Sequence, residues 1–133
     1  MALKIGNKIY LSWDDIDTLV EDLCKVIISS GKQIKSITGV QRGGYIPAVM
    51  ISHKLDIPYT SRINKDTLVV DDICDTGETL KKSIAPYTAT LHYKPSAVFT
   101  PDFYAKETGP EWIVYPWERK DSEAIQDYLK KEL

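Results

Sequence analysis

The 133-residue chain has only two cysteines, Cys24 and Cys74, which stand far apart with no Cys-x-x-Cys. That spacing excludes a disulfide scaffold and a clustered-thiol zinc site, and it fits reduced thiols in a cytoplasmic protein. An excess of one charge is also missing: 17 Lys+Arg stand against 19 Asp+Glu, a net charge of −2. Binding to nucleic acid through bulk positive charge is therefore not expected. Uninterrupted apolar stretches last only a few residues, so neither a transmembrane helix nor a membrane partner is expected. The opening Met-Ala-Leu-Lys-Ile-Gly lacks the apolar core of a signal peptide. No repeat, low-complexity tract or linker is visible. A hydrophobic fraction of 43% suffices for a packed core, and the length suits one domain spanning 1–133.

Strands alternating with helices make up the rest. Lys8 to Leu11 reads as a short strand. Ser12 caps a helix carrying Ile16, Leu19, Val20, Leu23, Val26 and Ile27 at helical spacing, with Gly31 as its stop. Ile34 to Val40 is an apolar, β-branched run, hence a buried strand, and it enters Gln41-Arg42-Gly43-Gly44. Pro47 fits an early helical turn, with Ile46, Val49, Met50 and Leu55 in the helix behind it. Pro58 to Ile63 reads as a strand, Asn64-Lys65-Asp66 as a turn and Thr67 to Val70 as a buried strand. The acidic segment Asp71 to Thr79 reads as a loop, followed by a short helix ending near Pro86. Further strands are expected at Thr88–Tyr93, Phe103–Ala105 and Trp112–Val114. Ile125, Tyr128 and Leu129 give the tail a helical stripe. The pattern predicts an α/β fold with a mostly parallel sheet covered by helices on both faces. Ligands of such sheets bind beyond the carboxyl ends of strands.

Two segments at that edge carry unusual chemistry. In Asp71-Asp72-Ile73-Cys74-Asp75-Thr76-Gly77-Glu78-Thr79, three carboxylates follow an apolar strand and two hydroxyl residues flank a glycine. Gly77 lets backbone N–H groups turn inward, while Thr76, Thr79 and a helix N-terminus favour an anion. Carboxylates accept hydrogen bonds from ribose hydroxyls and bind hard cations such as Mg²⁺. Together these features describe a receptor for a metal-carrying sugar phosphate. Acidic residues after a strand also make ordinary solvated turns. Asp-Asp-x-x-Asp also occurs in all-α prenyl-diphosphate enzymes, and Val-Val-Asp-Asp opens receiver domains, but too little chain follows Asp72 for the latter.

The full string Asp-Asp-x-x-Asp-Thr-Gly-x-Thr closely resembles the ribose-phosphate signature of the type I phosphoribosyltransferases. Arg42-Gly43-Gly44 resembles that family's diphosphate loop, and the resemblance implies a cis Gln41-Arg42 peptide bond. Physically, Arg42 can hold diphosphate oxygens and the glycines allow close backbone approach. Lys94-Pro95, Trp112-Ile113 and Pro116-Trp117-Glu118 resemble the bacterial xanthine–guanine members. That resemblance implies a small C-terminal hood in which Lys94 meets the exocyclic oxygen of a 6-oxopurine. Trp112 would stack on the base, and the backbone of Ile113 would read its edge. Without the two upstream segments, Trp112 reads more readily as a core aromatic and Lys94 as a surface charge.

The resemblance runs from Tyr10 to Glu118 and implies transfer of a phosphoribosyl group from phosphoribosyl diphosphate to a 6-oxopurine (guanine, xanthine or hypoxanthine). It assigns phosphoribosyl diphosphate to Arg42, Gly43, Gly44, Asp71, Asp72, Asp75, Thr76, Gly77, Glu78 and Thr79. Asp71 and Asp72 would hold Mg²⁺, directly or through water, and Asp75 would handle the base N7 proton. A homo-oligomer is implied. Two departures stand out. Where family members carry a long mobile loop, only Asn64-Lys65-Asp66 separates the expected strands at 58–63 and 67–70. An acidic metal contact after the base-reading strand is replaced by Val114, with Glu118 nearby. The rival readings are a non-catalytic nucleotide or phosphoribosyl-diphosphate sensor on the same fold and a transferase for another base. A nucleophilic Cys74 is a remote alternative, because a thiol among carboxylates should hold its proton.

Overall fold

The computed structural model describes residues 2–118. The expected tail helix around Ile125, Tyr128 and Leu129 lies outside the described residues. Within them the chain forms two compact units, the smaller from both terminal segments (up to Asp17, and from Pro110) and the larger from Thr18–Gly109.

The larger unit is built on a four-stranded parallel sheet in the order β3-β4-β5-β6, with β3 at Ser36–Gly39, β4 at Thr67–Cys74, β5 at Tyr87–Tyr93 and β6 at Phe103–Glu107. The α/β class and the parallel sheet are as expected. The inner strand β4 is apolar and buried over Leu68, Val69 and Val70, as burial on two faces demands, whereas β5 buries Thr88, Thr90 and His92 alongside Ala89 and Leu91. The alternation in β5 does not mark one wet face, because Thr88 through Tyr93 are all buried.

Helix α1, Trp13–Ser30, begins at a reciprocal cap: Asp15 N–H donates to Ser12 Oγ at 3.1 Å and Ser12 N–H donates to Asp15 Oδ2 at 2.8 Å. It ends at Gly31, whose φ of 72° suits glycine. Ile16, Leu19, Val20, Leu23 and Ile27 are buried as their spacing requires, each contributing roughly 1.5–3 kcal/mol. Val26 is the exception and faces solvent. Helix α2, Tyr45–Leu55, packs on β3 and β4. Its buried face is Pro47, Ala48 and Ile51, so the expected stripe through Val49 is corrected: Val49 is exposed and Ile46, Met50 and Leu55 are only partly covered.

The strand expected at 58–63 does not form. Tyr59 alone makes a bridge to Ile37, flanked by Ile37 N–H to Pro58 O and Thr60 N–H to Ile37 O. Pro58 has no N–H for a ladder, and Arg62 N–H turns onto Thr60 Oγ1, so pairing stops after one residue. The short helix α3, Glu78–Lys82, ends at Ser83, ahead of Pro86.

In the smaller unit, β1 (Leu3–Ile5) and β2 (Lys8–Tyr10) form a hairpin across Gly6-Asn7, and β2 pairs in parallel with β7, Trp112–Val114. The expected C-terminal strand is present, but its sheet takes two strands from the N-terminal end. Gly6, at φ 61°, supplies the positive φ such a two-residue turn needs. Among the described residues no helix is long and apolar enough to cross a membrane.

Candidate functional site

Strand β4 does not stop where its apolar run stops. It continues through Asp71, Asp72, Ile73 and Cys74 because β5 stays alongside, pairing Asp71 with Thr90, Ile73 with His92 and Cys74 with Tyr93. The loop expected over 71–79 is therefore corrected: Asp71 and Asp72 stand on a strand, and only Asp75, Thr76 and Gly77 turn before α3. Being on a strand fixes both carboxyls to a rigid support.

The two acids are half-buried neighbours. Asp71 Oδ1 accepts the N–H of Asp72, and Asp72 Oδ1 accepts the N–H of Ile73, each at 2.8 Å. Burial, and then the charge of Asp72, push the Asp71 carboxyl up to about 8. Burial also raises Asp72. Burial disfavours the charged form of both carboxyls, a cost that a bound cation would offset, and an oxygen-only donor pair fits a hard divalent cation that keeps most of its waters. Mg²⁺ is consistent with these residues. The Cys74 thiol is also raised, by burial first and then by Asp71 and Asp75, and it donates to Phe99 O at 3.2 Å. That environment suppresses its reactivity.

The Arg42 loop reaches the same sheet edge. Val40 N–H donates to Val70 O, Gly44 N–H to Val40 O and Tyr45 N–H to Arg42 O. The Gln41-Arg42 peptide is cis. Gly43 lies against the Asp72 carboxylate so closely that any Cβ would overlap it, and a Cβ on Gly44 would strike the carbonyl oxygens of Val70 and Val40. Gly44, whose close neighbours are backbone, is thus required by approach, while Gly43 leaves room for the Asp72 carboxylate. Arg42 itself is exposed, with its guanidinium available to an anion.

Beyond the end of β4 lies a small pocket of about 80 Å³, lined by Asp71, Ile73, Cys74, Asp75, Thr76, Gly77, Thr79 and Leu80. It is far below the roughly 300–1,000 Å³ of a site enclosing a drug-sized ligand and suits a single anionic group. Gly77 has φ 88°, and a Cβ there would press on Phe99 N at 2.8 Å. Thr76 Oγ1 accepts the Glu78 N–H at 3.3 Å, and Thr76 O accepts the Val98 N–H at 2.8 Å. Lys94, at the end of β5, is held by its N–H to Cys74 O at 3.0 Å. Its largely buried ammonium pairs with Asp75 Oδ1 at 3.2 Å. Residues 97–99 back this pocket. Sequence reading missed them because contact with Thr76 and Cys74, not residue type, gives them that role.

Arg42–Gly44, Asp71–Thr79 and Lys94 thus share one edge of the larger unit's sheet. Trp112 and Ile113 belong to β7 of the smaller unit. There Trp112 is 45% exposed, while Ile113 is buried. Glu118 is engaged locally, accepting the Tyr115 N–H at 2.8 Å.

No family model matches the chain. It is 28% identical to xanthine-guanine phosphoribosyltransferase of Idiomarina loihiensis, over 89% of this chain and 91% of that protein. The solved xanthine-guanine-hypoxanthine phosphoribosyltransferase of Helicobacter pylori, 24% identical, superimposes with a TM-score of 0.74 over 90% of this chain and 97% of its own, a likeness of fold. The purine phosphoribosyltransferase of Pyrococcus horikoshii is 30% identical, with a TM-score of 0.73 over 86% of this chain and 96% of its own. A relative at that identity, aligned along nearly its whole length on the same fold, makes this chain a member of the type I phosphoribosyltransferase family.

Proposed function

We propose that the protein transfers the phosphoribosyl group of phosphoribosyl diphosphate to a 6-oxopurine, giving a nucleoside 5′-monophosphate and diphosphate in purine salvage. The observation that carries this reading is the approach of Gly43 to Asp72, which brings a diphosphate loop and a ribose-binding acid pair to one sheet edge. Thr76, Gly77, Glu78 and Thr79 hold the 5′-phosphate, with Glu78 contributing backbone only, and the small pocket beside them has the matching size. Arg42, Gly43 and Gly44 hold the diphosphate. Asp71 and Asp72 accept ribose hydroxyls and hold Mg²⁺, which when bound neutralises the diphosphate.

Asp75 takes the base N7 proton in this reading; its partner Lys94 carries an ammonium that favours a carbonyl oxygen at the purine 6-position. Trp112 supplies a stacking face and Ile113 backbone contacts to the base. The charge developing at the ribose is met by fixed groups, so the protein's work is positioning and electrostatics. Incubation with phosphoribosyl diphosphate, Mg²⁺ and a panel of guanine, xanthine, hypoxanthine, adenine and orotate tests the reading. Nucleotide from the 6-oxopurines is expected. Product from adenine or orotate alone contradicts the base assignment, and tight binding without turnover favours a sensor.

A further inference from the structure

We propose that Thr90 is a positioning residue for Asp71, its hydroxyl donating to the Asp71 carboxylate when that group engages phosphoribosyl diphosphate. The inference rests on the function proposed above. Thr90 lies in the middle of β5, is fully buried, and its Oγ1 has no hydrogen-bond partner among the described residues. An unpaired buried hydroxyl is costly, and valine would fill the same shape without it.

Three other buried hydroxyls of the same sheet are satisfied. Ser36 and Thr67 share a bond of 2.9 Å, and Thr88 Oγ1 donates to Asp102 Oδ2 at 3.2 Å while accepting Asp102 N–H at 3.0 Å. Thr90 is therefore an exception that the sheet's packing does not explain. Its register partner on β4 is Asp71. Register partners on adjacent strands project from the same face, so the Thr90 and Asp71 side chains are neighbours on that face. Asp71 Oδ1 already accepts the Asp72 N–H, and a carboxylate has acceptor sites to spare for a second donor. A hydroxyl from β5 and an amide from β4 would fix the carboxylate plane from two sides.

The test compares Thr90→Val and Thr90→Ser by thermal melting without ligand and by calorimetric titration of phosphoribosyl diphosphate with Mg²⁺. Thr90→Val should raise the melting temperature by a few degrees, because an orphan is removed. It should weaken binding about tenfold or more, the weight of a hydrogen bond to a charged group. Thr90→Ser keeps the hydroxyl and loses a methyl, so it should melt lower yet bind like wild type. Thr90→Val binding as wild type, Thr90→Ser binding as poorly as Thr90→Val, or Thr90→Val melting lower would each overturn the assignment. A wild-type protein that takes up no phosphoribosyl diphosphate overturns the functional reading itself, and this inference with it.

Discussion

At Asp71 the chain buries one carboxyl beside another, and the consequence is a dependence on pH that can be given a sign. The folded protein holds the Asp71 proton to about pH 8, against a value of 3.8 for an ordinary aspartate. Between those limits the folded state binds more protons than the unfolded, so ligand-free stability falls as pH rises through this window. His92, pushed down to about 4 by burial from an ordinary 6.5, acts in the opposite direction below about pH 6.5. The Asp71 effect is therefore cleanest between about pH 6.5 and 8. Melting curves should show wild type losing stability across that interval and Asp71→Asn losing less. Identical pH profiles would mean that the Asp71 carboxyl is not proton-bound there.

Gly77 and Thr79 give a second residue-scale expectation. Gly77→Val forces a side chain into a φ of 88° and against Phe99, and Thr79→Ala removes a hydroxyl from the pocket. Both should weaken nucleoside 5′-monophosphate binding, the second by about 1–3 kcal/mol. Unchanged affinity in both, measured by calorimetry, would put the phosphate elsewhere.

Among the elements, the connection over residues 60–66 departs most from its expected form, and its position has a functional consequence. Asp66 N–H donates to Asn64 Oδ1, Asn64 N–H to Thr67 Oγ1 and Lys35 N–H to Asp66 O. The segment is thus tied to the start of β4. At about 3.3 Å per residue, Asp66 is on the order of 30 Å along the chain from Asp75. It therefore provides no closing loop over the ribose, where such a loop would exclude water. The proposed transferase should accordingly release ribose 5-phosphate alongside nucleotide, both measured in one assay. Fully coupled synthesis at every enzyme concentration would contradict this. Coupling that improves with concentration would point to cover from a second copy of the chain. The same segment shows what local pattern does not reveal: Pro58 to Ile63 has strand-forming residues, yet pairing ends after Tyr59, where Arg62 N–H turns back onto Thr60 Oγ1. β4 errs in the other direction, since Asp71 and Asp72 read as loop but are kept in the ladder by β5. Helix α1 was legible because its signals are local: a Ser12–Asp15 cap, a five-residue buried stripe and a glycine stop. The hairpin at Gly6-Asn7 is equally local, its only signal one glycine with positive φ between two three-residue strands.

For the whole molecule, the parallel order β3-β4-β5-β6 brings chain segments that are far apart in sequence to one sheet edge. The motifs themselves were legible, because Arg42-Gly43-Gly44 and Asp71–Thr79 state their chemistry in residue types. Their approach was not, since the fit of Gly43 against Asp72 and the pairing of Lys94 with Asp75 depend on register between strands. That convergence is the central claim, and metal-dependent binding of phosphoribosyl diphosphate tests it most directly. Without a cation, nothing offsets the ligand's clustered negative charge beside Asp71, Asp72 and Asp75, so calorimetric titration should show clear binding in Mg²⁺ and a large loss in excess chelator. Equal affinity in the two conditions would contradict the account.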